Sequence, residues 1–292
     1  MFESLRHGSA TLDDHDACFD LALAHQIAAP LASLALARGE SIPERWRERL
    51  MQVRAQNLAY ENCLTLLVAR LDGLSVPWFA TRGAVRLSDP VVPDRLCGDI
   101  DLYIDPADWP KIEATLSADS AFERDHQRGE KNRSTRHFNW TSGLTLALDF
   151  HLGVSPFHSE GGGVLAGLLA RRVRNAAGLW VLPPEDDYGM ALVEALIESP
   201  ANRLRRLWEL DALAARLSAG EHQRMRRRFG LRRWSRHLPE RVFRGLQGRL
   251  PMRDRKQVLV RYGGLATLIA GSRRPLAQTR DSLSLMLRRF RT

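Results

Sequence analysis

The chain has 292 residues, 44% hydrophobic and 26% charged, a balance that excludes a disordered polymer and suits one large globular domain or two small ones. Its three cysteines, Cys18, Cys63 and Cys97, are odd in number and too far apart for a disulfide scaffold or a zinc module. The net charge of +9 is uneven: residues 1–200 carry 19 basic against 28 acidic side chains (−9), and residues 201–292 carry 24 against 6 (+18).

A C-terminal region that basic is read in two ways. It suits an anionic partner such as RNA, a membrane surface or a polyphosphate, and it suits a solvated helix surface in a chain where 40 of 43 basic residues are arginine. The N-terminal MFESLRHGSATLDDHD is acidic and has no apolar signal-like core. The most apolar stretch, residues 21–37, is interrupted by His25, Gln26 and Pro30. The sequence therefore predicts no membrane insertion and a cytoplasmic protein.

Residues 1–73 read as helical, with Pro30 bending or ending one helix and Pro43 opening a second that Asp72-Gly73 closes. Residues 76–80, VPWFA, form a short apolar run that predicts a strand. After Arg82 and Gly83, residues 84–87 begin a short helix, and residues 88–98, with two prolines, read as a loop. Residues 99–104, DIDLYI, alternate polar and apolar and predict a second strand with both aspartates on one side. Residues 105–110 cap a helix that runs to about Leu116. A charged segment, 123–136, precedes two predicted strands, 137–140 and 144–151, joined by a turn at Ser142-Gly143. Beyond Gly161-Gly162-Gly163 the chain reads as helical again, with a helix start at residues 183–187 and an amphipathic helix over 201–217. The expected architecture is α/β (α+β): a small mixed β-sheet over residues 74–160, an N-terminal helical segment over 1–73 and a helical, strongly basic region over 161–292.

The chemistry concentrates around Asp99 and Asp101. Two carboxylates two residues apart on a strand repel each other unless a cation or a proton intervenes, and a divalent ion turns them into half of an oxygen-ligand site. The alternative is a turn cap at Asp99 and an arginine pair at Asp101. Asp149, alone in the apolar LTLALDFHL, needs a partner and is the candidate third ligand. Upstream, Gly83 lets a phosphate approach the backbone ahead of a helix N-terminus.

The order strand, Gly turn, helix, loop, Asp-x-Asp strand and later Asp strand resembles the nucleotidyltransferase superfamily, whose fold is that of the DNA polymerase β palm. Within it the chain is similar to the family of uncharacterised nucleotidyltransferases, through Ala80-Thr81-Arg82-Gly83, Arg95, residues 99–104, Leu148-Asp149-Phe150-His151 and Leu207-Trp208-Glu209-Leu210-Asp211-Ala212-Leu213. The likeness covers roughly residues 20–217. It implies a nucleotidyltransferase core over residues 74–160 that works with two Mg²⁺ (or Mn²⁺) ions, held by Asp99, Asp101 and Asp149. Asp149 would also help to deprotonate a hydroxyl acceptor, while Arg82, Gly83 and Arg95 would contact the phosphates of an NTP. Lys131, Arg133 and Arg136 are further phosphate candidates that read equally well as a solvated loop. The chain departs from the pattern in having Ala84 and Val85 after the glycine in place of a hydroxyl, and Arg82 in place of lysine.

His151 shares the face of Asp149 and reads either as a group that orients it or moves a proton, or as a structural histidine; His137 lies beside it. Asp211 is expected to form a buried pair with an arginine such as Arg82. The acceptor is left open between RNA or tRNA, a peptide or protein, and a small metabolite, and a sugar-nucleotide donor of the kind used in natural-product biosynthesis is a further option. The alternative from another class is a non-catalytic binding protein of this fold that docks RNA or a partner through its basic C-terminal region.

Overall fold

The computed structural model describes residues 16–126, 135–154, 163–197 and 203–229. Among the described residues three helices come first: α1 (Asp16–Ala24), α2 (Ala28–Ala37) and the long α3 (Glu44–Gly73). Pro30 sits in the first turn of α2, where its missing N–H costs nothing, so it helps to start that helix and does not end one. The break before it falls at Gln26, which adopts a left-handed φ of 55°. Pro43 caps α3 as expected, and α3 buries Trp46, Leu50, Val53, Tyr60, Cys63, Leu64, Leu67 and Leu71 along one stripe.

A mixed seven-stranded sheet follows, in the order β3-β4-β5-β2-β1-β7-β6. Its strands are β1 (Trp78–Thr81), β2 (Ile100–Ile104), β3 (Phe122–Arg124), β4 (Thr135–Trp140), β5 (Leu146–His151), β6 (Val173–Arg174) and β7 (Trp180–Val181). The short α4 (Arg82–Ser88) leaves β1, and α5 (Trp109–Ser117) follows β2 after a single 3₁₀ turn. The last described helices are α6 (Gly163–Arg171), α7 (Pro184–Ile197), α8 (Arg203–Ala215) and α9 (Ala219–Arg228). None of the described helices is long and apolar enough by itself to cross a membrane.

Alternation along the strands decides what each face carries. Ile100, Leu102 and Ile104 of β2 and Leu146, Leu148 and Phe150 of β5 turn to one face, into a core closed by α3 and α5. The opposite face receives Asp101 and Tyr103 from β2 and Asp149 and His151 from β5. Further along, Phe79 and Tyr103 on that face pack beneath Leu165, Leu168 and Leu169 of α6. The polar end of the face carries Thr81, Asp101 and Asp149.

Candidate metal and nucleotide site

Register brings the predicted carboxylates together. β2 pairs in parallel with β5, so Asp101 lies opposite Asp149 and Tyr103 opposite His151. β4 runs antiparallel to β5 and adds His137 beside Asp149 and Thr135 beside His151. Asp99, one residue before β2, completes the group: oxygens of Asp99, Asp101 and Asp149 all lie within 4.8 Å of one another. Three hard oxygen donors at that spacing suit a divalent cation, whose charge would offset their mutual repulsion.

The cost of the arrangement appears at Asp99. Burial, followed by the charges of Asp101 and Asp149, raises its carboxyl to about 6, against the opposing pull of Arg82 and Arg95. Asp101 goes the other way. Burial alone would raise it, but the Arg82 guanidinium and a hydrogen bond from His151 hold it well below the usual carboxylate range. Arg82 Nη1 stands 3.4 and 3.5 Å from the two oxygens of Asp101. Arg82 also takes a left-handed φ of 51° at the β1–α4 junction, a conformation that a non-glycine residue holds only under constraint from its surroundings.

Each of the two strand carboxylates has a histidine. His151 Nε2 donates to Asp101 Oδ1 at 2.8 Å, and His137 Nδ1 donates to Asp149 Oδ1 at 2.9 Å. Thr135 Oγ1 stands 3.5 Å from the other nitrogen of His151, whose ring stacks on Tyr103 at 4.7 Å between centroids. The ring is thus held in orientation, which in turn orients Asp101. His137 was given only a minor place by the sequence; the register of β4 on β5 is the signal that brings it in.

The phosphate-binding candidates separate. Arg82 is partly exposed beside the carboxylates. Arg95 is 7% exposed and its Nε donates to Glu209 of α8, so its charge acts from behind the site. Gly83 is buried, and a Cβ there would meet Cys97 Sγ at 2.9 Å and Arg95 Nη1 and the Asp99 carbonyl at 3.1 Å. The absence of a side chain at Gly83 therefore serves the close approach of the Asp99 loop, a role the sequence did not suggest. Lys131 and Arg133 lie outside the described residues. Arg136 pairs across from Phe150, on the face opposite the carboxylates.

Asp211 is a correction. It is exposed on α8, and the buried acid of that helix is Glu209. Burial would raise the Glu209 carboxyl, but Arg95, Arg205 and Arg206 together lower it to about 2. The helix phase explains the exchange: Glu209 shares a face with Arg205 and Arg206, four and three residues earlier, and Asp211 is turned about half a turn away. Arg206 also acts on Asp101 through its charge, so α8 contributes to the field at the carboxylates.

The sequence model of one protein family, described as uncharacterised nucleotidyltransferase, matches residues 12–238. No curated protein matches the chain.

Proposed function

The chain belongs to the family of uncharacterised nucleotidyltransferases, and from that premise we propose that it moves a nucleotidyl group from an NTP to a hydroxyl acceptor. The observation that carries the reading is the cluster of Asp99, Asp101 and Asp149 on adjoining strands, with Arg82 beside it. The donor set fits Mg²⁺ or Mn²⁺: all oxygen, with Asp101 buried and Asp99 and Asp149 half-buried, and electrostatically unfavourable at Asp99 for the protein alone. Bound there, one ion or two would neutralise the triphosphate and lower the pKa of the acceptor hydroxyl.

The chain's own residues supply the rest. Arg82, as a planar guanidinium, pairs with phosphate oxygens in two-pronged fashion and offsets their charge. Arg95 adds a fixed positive charge behind the Asp99 loop. Asp149 takes the hydroxyl proton as the acceptor oxygen bonds to the α-phosphorus and the α–β anhydride opens to release pyrophosphate. His137 and His151 hold the two strand carboxylates in orientation. The net +18 of residues 201–292 supports RNA over a small metabolite as the acceptor.

The test is transfer of label from α-³²P NTPs into RNA, protein and small-molecule fractions. Label in one fraction, with pyrophosphate released and a loss of at least a hundredfold in Asp101→Asn and Asp149→Asn, is the expected result. Equal transfer by Asp101→Asn would sink the assignment.

One observation favours a second reading, a binding protein of this fold without turnover. The residues after Gly83 are Ala84 and Val85, both buried, so the turn offers no hydroxyl to a phosphate. That reading predicts nucleotide binding with no label transferred.

A further inference from the structure

Asp101 and Asp149 hang from hydrogen-bonded neighbouring strands, so the sheet itself sets their separation. Asp99 has no such support. It ends the loop between α4 and β2, and the first ladder residue of β2 is Ile100. Two like charges push against it. Something outside the sheet must hold it in place.

One side of α3 does so. Asn57 grips the loop backbone at two points, donating from Nδ2 to the Arg95 carbonyl at 2.8 Å and accepting from the Cys97 N–H at 3.0 Å. Gln56 Nε2 donates to the Cys97 carbonyl at 3.2 Å. Tyr60, on the same side of the helix, donates from its hydroxyl to the Gly98 carbonyl at 2.5 Å. Three side chains of α3 thus tie the peptides that precede Asp99 to a helix packed in the core.

We propose that Tyr60, assisted by Asn57, is a positioning residue that holds Asp99 against the two strand carboxylates and so sets the metal affinity of the site. The proposal rests on the reading of the three carboxylates as a divalent-cation site. With the loop tied, the carboxylates are already gathered when the cation arrives. Without the tie, repulsion lets Asp99 swing outward and binding must first draw it back. Groups that orient metal ligands typically govern affinity by about ten- to a hundredfold.

The experiment is a calorimetric titration of the full chain with Mn²⁺ alone at pH 7.5, alongside melting temperatures. The proteins are the wild type, Asp101→Asn, Tyr60→Phe, Asn57→Ala and, as a control on the same helix, Arg70→Ala. Arg70 pairs with Asp119 near the other end of α3. Tyr60→Phe keeps the buried ring and removes only the hydroxyl, so it decides the matter if Asn57→Ala fails to fold. Expected are Mn²⁺ binding in the wild type, its loss in Asp101→Asn, and affinity lowered about tenfold or more in Tyr60→Phe and Asn57→Ala. The melting temperature of Tyr60→Phe would stay within a few degrees of wild type, and Arg70→Ala would bind normally. Unchanged affinity in Tyr60→Phe, with Asp101→Asn still blocking, overturns the positioning role and leaves the cation site standing. An equal loss in Arg70→Ala also overturns it. Absence of Mn²⁺ binding in the wild type, or binding indifferent to Asp101→Asn, overturns both.

Discussion

Asp99 is the residue at which gathering three carboxylates costs stability. Its carboxyl is raised to about 6 by burial and by two neighbouring acids, so between roughly pH 4 and 6 the folded chain binds a proton that the unfolded chain has released. Stability of the metal-free protein should therefore fall as pH rises through that window. Cation affinity should rise over the same range, because proton and metal compete for one group. Asp99→Asn removes the repulsion while keeping the shape. It is expected to raise the melting temperature at pH 7.5 by roughly a few degrees while abolishing Mn²⁺ binding. Melting curves at pH 5 and 7.5 check this: a variant less stable than wild type at pH 7.5 would show that the three acids do not repel as described. Asp101 follows the opposite logic, since Arg82 and His151 already hold it ionised. The sequence made the three aspartates legible because DIDLYI and the lone acid of LTLALDFHL break an apolar pattern at a chemical cost. His137 was harder to place, because its partner, Asp149, is fixed by strand register that no local pattern records.

At the scale of elements, the site is assembled where the β1–α4 turn meets the loop into β2. Gly83 and the Asp99 loop interlock so closely that Gly83→Ala would press a methyl group on Cys97, Arg95 and the Asp99 carbonyl. Overpacking of this kind costs about 1–3 kcal/mol. Because the atoms that must give way carry Asp99, the variant is expected to lose Mn²⁺ affinity as well as stability. Calorimetry and denaturant titration on the same protein check both, and wild-type affinity in a destabilised Gly83→Ala would separate the turn from the site. The long elements were legible in advance: α3 from its Pro43 start and apolar stripe, β2 and β5 from alternation, α8 from its leucines. Strands β3, β6 and β7 were not, since two or three residues carry no period and their pairing is decided by the sheet they join. The buried acid of α8 was misplaced by two residues for a related reason. Leucine spacing locates the apolar face, whereas Glu209 is buried by the arginines around it.

In the whole molecule, a mixed sheet sets one apolar face against α3 and α5 and leaves the end of the other face to carry charge. α3 serves both sides: it fills the core with Leu64, Leu67 and Leu71 and, one turn earlier, ties down the Asp99 loop with Asn57 and Tyr60. α8 reaches across to Arg95 through Glu209, so the helical region after the sheet bears on the site electrostatically. The family match ends at residue 238, and the sequence beyond it is strongly basic. The most direct test of the account is the thermal stability of the full chain with each NTP, with and without Mg²⁺, in the wild type and in Asp101→Asn. A nucleotide at about 100 times its Kd adds roughly 2.7 kcal/mol, which is plainly visible as a shift in melting temperature. A shift with at least one NTP that requires Mg²⁺ and disappears in Asp101→Asn is expected. A folded wild type that no Mg²⁺–NTP stabilises, or a shift that survives in Asp101→Asn, would contradict it.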